Sequence, residues 1–150
     1  MYNIPILILT YNRPKHLDVL LKALKSIKPK KIYISCDGPK NDFDLMQISK
    51  TSKITKIYPK FLDKNHGIAI APQLGIDWFF QHEEFGIILE DDCIPSKLFF
   101  SYMKSILIKY KNNKNIYAVS GYNHMSRTNF GDGTYFLSNY FLCWGWVTWK

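Results

Sequence analysis

The stretch Gly86-Ile87-Ile88-Leu89-Glu90-Asp91-Asp92 decides how the chain is read. Its first half, Gly86–Leu89, carries no charge and no alternation of polar with apolar side chains. A strand that is apolar at consecutive positions belongs to a sheet covered on both faces, the habit of parallel sheets. Three carboxylates follow at once. Like charges crowded at the rim of a core repel one another unless a cation offsets them. The stretch therefore predicts both a buried parallel sheet and a cation or ligand site at its carboxyl edge. The competing reading is a solvated acidic turn ahead of a helix, where acids complement the helix dipole.

Outward from it, Ile4–Leu9, Ile32–Ser35 and Ile116–Ser120 are similar short runs and are expected to be further strands. Helical spacing fills the gaps. Pro14 suits a first helical turn, and Leu17, Leu20, Leu21, Leu24 and Ile27 then recur on one face. Ala71, Leu74 and Trp78 do the same more weakly after Pro72, with Gly75 interrupting. Ser96 is the expected N-cap of a helix whose face is Phe99, Met103, Ile106, Leu107 and Tyr110. Strand–helix–strand alternation predicts an α/β fold with a mostly parallel, Rossmann-like sheet and right-handed crossovers.

The composition agrees. The 150 residues are 47% hydrophobic and 16% aromatic, enough for one buried core and against disorder, collagen-like repeats or a disulfide miniprotein. Twenty Lys and Arg face 12 Asp and Glu, a formal charge of +8. Cys36, Cys93 and Cys143 have neither disulfide-framework nor zinc-pair spacing, which suits a reducing compartment. The apolar run at Ile4–Leu9 is too short for a signal segment or a membrane span, so the expected location is cytoplasmic, with peripheral contact at the membrane's inner face left open. The aromatic run before Lys150 has no polar terminator and reads as a chain cut short on its C-terminal side.

In an open α/β sheet ligands bind beyond the carboxyl ends of the strands. The residues placed there are Thr10 to Arg13, then Cys36-Asp37-Gly38, Glu90-Asp91-Asp92 and Gly121-Tyr122-Asn123. Asp92 is the candidate metal ligand, because Mg²⁺ or Mn²⁺ binds through one or two carboxylates plus substrate phosphates. Asp37 precedes a glycine and is equally read as a turn residue; as a ligand contact its carboxylate can accept from a base N–H or a ribose hydroxyl. Asn65-His66-Gly67 precedes a helix, whose N–H groups suit phosphate, or else forms a capping turn. The histidines lack zinc-ligand spacing. The absence of GxGxxG after the first strand, GxxxxGK[ST] and GxSxG argues against a dinucleotide enzyme, a P-loop NTPase and a serine hydrolase.

These motifs resemble the GT-A nucleotide-sugar transferases, close to the family 2-like bacterial enzymes and similar to the β-1,2-N-acetylglucosaminyltransferases. The residues that carry the likeness are ILTYNRP, IYISCDGP, DKNHGIAIA, GIILEDDCIPS, YAVSGYN and WGWVTWK, with EDD as the DXD-type element. The resemblance implies a three-layer GT-A sandwich in one domain over residues 1–150, short on the acceptor side. It also implies metal-dependent, inverting transfer from a nucleotide-diphosphate sugar, most often UDP-linked, to a glycan or glycolipid hydroxyl. Carried over by position, Thr10, Arg13 and Asn65 lie at the donor pocket and Asp37 contacts the base. Glu90 and Asp91 contact ribose and sugar, Asp92 holds Mn²⁺ or Mg²⁺, and Trp144 and Trp146 wall the donor–acceptor cleft. A family catalytic Asp falls where this chain has Asn139, an amide that cannot act as base. Asp132 is the nearest upstream carboxylate and the candidate base, with a base beyond Lys150 as the alternative. Two other readings are a non-catalytic nucleotide-sugar-binding remnant and a basic nucleic-acid-binding domain; dispersed lysines argue against the latter.

Overall fold

The computed structural model describes residues 2–38, 56–124 and 133–150. Among these residues six strands, β1 (Ile6–Thr10), β2 (Lys31–Cys36), β3 (Lys56–Phe61), β4 (Phe85–Glu90), β5 (Ala118–Ser120) and β6 (Trp146–Trp149), form one sheet. Their spatial order is β3-β2-β1-β4-β6-β5. The first four are mutually parallel, β6 runs antiparallel to β4, and β5 antiparallel to β6. Among the described residues, three α-helices cover the sheet: α1 (Pro14–Leu24), α2 (Gly67–His82) and α3 (Lys97–Tyr110).

Consecutive burial along β1 follows from cover on both faces: Ile6, Leu7 and Ile8 are all fully buried. On one face Ile6, Ile8, Ile32, Ile34, Ile87 and Leu89 pack with Leu17, Leu20, Leu21 and Leu24 of α1 and with Phe100, Met103 and Leu107 of α3. Each buried leucine contributes about 1.5–3 kcal/mol relative to an exposed one. On the other face Leu7, Tyr33 and Ile88 meet Phe79 of α2, with Trp146 packed alongside. The result is the α/β/α three-layer sandwich.

Several elements differ from the sequence expectation. β3 has no apolar run to announce it, and β6 lies inside the aromatic run before Lys150, where the sequence reading places no strand. β3 is half-exposed and carries Pro59, which an edge strand tolerates because its missing N–H need not join a second ladder. β6 inserts between β4 and β5, so the run expected from Ile116 forms a three-residue edge strand instead. In α2 the buried residues are Ala71, Gly75 and Phe79, one position on from the face expected at Leu74 and Trp78. At Gly75 α2 lies close against the sheet: a Cβ there would stand 2.7 Å from Ser35 Oγ and 2.9 Å from Leu9 Cδ2. In α3, Phe100 is buried and Phe99 turns toward the sheet end; Ser96 caps the helix as expected, accepting from Phe99 N–H.

Candidate functional site

The sheet reverses its order of growth at β1, which lies between β2 and β4. Such a switch point leaves a crevice beyond the strand ends. Two backbone bonds extend the ladders past those ends: Asp37 N–H donates to Thr10 C=O at 3.0 Å, and Asp91 N–H to Leu9 C=O at 3.1 Å. Thr10, Asp37 and the acidic triplet thus share one edge, as the sequence predicts.

The triplet splits by direction, because β4 ends at Glu90 and the two aspartates lie in the turn that follows it. Asp91 turns inward and is buried. Its Oδ2 accepts from the Thr10 hydroxyl at 2.6 Å, and its Oδ1 lies 3.3 Å from Arg13 Nη1. Asp92 turns outward and its Oδ2 takes the same Nη1 at 2.8 Å. Arg13 reaches both because Asn12 adopts a left-handed φ of 51°, a conformation asparagine enters readily, and Pro14 then starts α1. Acid neighbours and these hydrogen bonds raise the Arg13 pKa, so the guanidinium stays charged.

Glu90 is half-buried beside the two aspartates. Burial pushes its carboxyl above the ordinary glutamate range, the Asp92 charge pushes further, and a Cys143 thiol hydrogen bond partly opposes both. Cys93, one residue beyond the triplet, is raised to about 11, chiefly by burial. Cys143 does not signal this neighbour in the sequence, because it meets Glu90 only when the strand ends converge.

An open cleft of about 550 Å³ lies against this edge. Glu90, Asp92 and Cys93 line one side, Phe99 forms part of it from the first turn of α3, and Tyr122 and Trp144 line the other. The far wall is built by β6 running antiparallel, which returns Trp144 and Gly145 to the carboxyl edge of β4. There Gly121 N–H donates to Gly145 C=O at 2.8 Å. The Tyr122 and Trp144 rings stand 4.8 Å apart, and His124 Nδ1 lies 3.1 Å from the Tyr122 hydroxyl. The aromatic cluster was only partly visible in the sequence, where Tyr122 and Trp144 are 22 positions apart and His124 shows no ligand spacing.

Asp37 occupies a second position along the same edge. Its buried carboxylate accepts from His66 N–H at 2.8 Å and Gly67 N–H at 3.0 Å, so it caps α2. Gly38, with a φ of 53°, lets this loop close on Asn65; a Cβ there would stand 2.8 Å from Asn65 Cα. The anion at the N-terminus of α2 is thus the protein's own carboxylate. Trp146 is not in the cleft lining: it packs against the α2-side core and edge-on to Phe141, ring centres 4.7 Å apart. Asn139 is exposed, and Asp132 lies outside the described residues.

Among the described residues no three His, Cys, Asp or Glu side chains converge into a cage for a metal ion. A cage is not what a diphosphate-bound cation requires, because one or two carboxylates with substrate oxygens suffice. Asp92, exposed at the cleft and paired with Arg13, fits that mode. Asp91, buried beneath it, acts as a strut.

No protein-family description matches the chain, and no curated protein matches it in sequence. Solved structures do match in fold. One is residues 1–349 of TarS from S. aureus, 18% identical, with a TM-score of 0.52 over 73% of this chain and 33% of that one. Another is the mannosyltransferase PcManGT from Pyrobaculum calidifontis in complex with GDP-Man and Mn²⁺, 15% identical, with a TM-score of 0.55 over 79% of this chain and 34% of that one. The chain spans about a third of the length of these structures. At such identities the likeness is one of fold, and the fold is the GT-A α/β sandwich.

Proposed function

We propose that residues 1–150 are the donor-binding part of a glycosyltransferase that moves a sugar from a nucleotide diphosphate to an acceptor hydroxyl. The observation that carries the reading is the Thr10–Asp91–Arg13–Asp92 cluster at the β1/β4 switch point, opening onto a cleft walled by Tyr122 and Trp144. A sugar presents apolar C–H faces and hydroxyls. An aromatic wall opposite carboxylates suits both.

Each residue has a part. Thr10 and Arg13 hold Asp91 and Asp92 in place, and Glu90 accepts from ribose or sugar hydroxyls. Asp37 offers its remaining lone pairs to the base beside Asn65. Trp144 covers the sugar. Asp92 is the residue that would hold Mn²⁺ or Mg²⁺, and when bound such an ion supplies charge neutralisation on the diphosphate as its bond to the sugar breaks. The complex of PcManGT with GDP-Man and Mn²⁺ supports a nucleotide sugar and a divalent ion as a class. Transfer with inversion needs a base for the acceptor hydroxyl, worth about 10²–10⁴ in rate; Asn139 cannot supply it, and Asp132 is the carboxylate proposed.

Calorimetric titration of UDP, and of GDP in parallel, with Mn²⁺ and with chelator tests the reading. Binding that needs Mn²⁺ and is lost in Asp92→Ala supports it. Metal-independent binding, or an Asp92→Ala variant that binds as well as the parent, removes the role given to Asp92. The amide at Asn139 favours a second reading, a donor-binding domain without turnover; donor binding with no sugar released to water or acceptor would select it.

A further inference from the structure

The positive charge of the chain is unevenly placed. Beyond the acidic triplet, residues 93–150 hold seven Lys or Arg and a single acid, Asp132, so most of the excess of +8 belongs to the C-terminal part. On α3 and its C-cap it forms a column: Lys97, Lys104 and the capping residue Lys111, whose ammonium also lies 5.8 Å from the Phe85 ring centre, follow one another at seven-residue spacing and are all exposed.

Beside that column runs a stripe formed by Leu98, Ser101, Ser105 and Ile108, at three- and four-residue spacing. Leu98 is 78% exposed and Ile108 68%. The two serines do not make the stripe polar, because each hydroxyl is turned back onto the helix. Ser101 Oγ donates to Leu98 C=O at 2.9 Å and Ser105 Oγ to Ser101 C=O at 3.0 Å. Ile94, 52% exposed, extends the apolar surface from the start of the helix to the cleft, which it helps to line. The opposite face of α3, with Phe100, Met103 and Leu107, is buried in the core.

We propose that the outer face of α3 docks onto an anionic lipid surface, with Leu98 and Ile108 entering the acyl boundary and Lys97, Lys104 and Lys111 over the headgroups. An apolar stripe edged by lysines is the pattern of a helix lying in a membrane interface. A soluble polyanion such as a nucleic acid would satisfy the lysines and leave Leu98 and Ile108 in water. Lipid satisfies both. No helix among the described residues is long and apolar enough to cross a membrane. Because the apolar surface reaches the cleft through Ile94, docking brings the cleft toward the lipid surface. The docking itself does not depend on the transferase reading.

Sedimentation with sucrose-loaded vesicles tests it, comparing equal parts phosphatidylcholine and phosphatidylglycerol with pure phosphatidylcholine. The full chain pellets with the anionic vesicles and stays in solution with the neutral ones. Replacing Lys97, Lys104 and Lys111 together by Ser lowers partitioning about a hundred-fold, each lysine carrying about five-fold. Replacing Leu98 and Ile108 by Asn removes the binding that survives added salt. A control with Lys25, Lys28 and Lys30 changed to Ser, the same loss of charge in the turn before β2, keeps parental binding. Circular dichroism confirms folding of every variant. The proposal is overturned by equal binding to both vesicles, by a control that loses as much as the α3 triple variant, or by full competition from double-stranded DNA with no effect of Leu98 and Ile108.

Discussion

Arg13 and Asp92, 79 residues apart, are joined by a hydrogen bond of 2.8 Å between Nη1 and Oδ2, and the same nitrogen lies 3.3 Å from Asp91 Oδ1. One guanidinium from the β1 end thus pairs with two of the three carboxylates at the β4 end. The pair with Asp92 is exposed and worth little, whereas Asp91 is buried and loses more when a partner leaves.

Arg13→Ala is therefore expected to cost about 1–2 kcal/mol at neutral pH, between the exposed and buried limits. The deficit shrinks in acid, because protonated carboxylates no longer repel. Urea unfolding of parent and variant at neutral and acid pH measures it. A deficit that stays constant with pH would show that packing of the side chain, and not its charge, is what was lost.

Asp37 makes a separate case. It accepts both N–H groups that open α2, so Asp37→Ala is expected to destabilise by about 1–2 kcal/mol, as loss of an N-terminal cap does. Asp37→Asn keeps one oxygen acceptor and loses about half of that. Chemical denaturation gives the stability, and UDP titration gives the affinity. A fall in affinity for Asp37→Asn beyond its small loss of stability supports contact with the base; affinity unchanged leaves Asp37 a cap alone.

What the sequence made legible follows from these cases. The continuous apolar runs exposed the parallel core strands, and an apolar run that ends in acids located the carboxyl edge. Arg13 bridging the acids was not legible, because it depends on β1 and β4 being neighbours in space. The opposite directions of Asp91 and Asp92 were also hidden, since three consecutive acids read alike until one is turned under the sheet edge. β3 escaped because an edge strand with one covered face needs no apolar run, and β6 because it lies in the aromatic run whose Trp146 read as cleft wall rather than strand. Gly75 looks like a weakness in a helix, yet Ser35 and Leu9 leave no room there for a Cβ.

Glu90 carries a pH signature. Its folded-state pKa is raised by burial and by Asp92, so above the ordinary glutamate value of 4.5 the folded protein holds a proton that the unfolded chain releases. Stability falls as pH rises from that value through the raised one. Glu90→Gln removes this dependence, so the variant gains on the parent across that window and the gain levels above it. Urea midpoints at closely spaced pH values check it; a variant that loses ground as pH rises would reverse the sign and the assignment.

Trp144 and Trp146, two residues apart, separate binding from folding. Trp144 is 55% exposed against Tyr122 in the cleft wall, while Trp146 packs into the α2-side core beside Phe141. Trp146→Ala is expected to cost about 2–3 kcal/mol, below the 3–5 of a fully buried aromatic because its ring is only partly covered. Trp144→Ala leaves stability within about 0.5 kcal/mol, the range of ordinary surface changes, and weakens binding of a nucleotide sugar more than binding of the nucleotide alone. Thermal unfolding and paired titrations with UDP and a UDP-sugar measure both effects. Equal losses of affinity for the two ligands would place Trp144 against the nucleotide, and a large loss of stability would place it in the core.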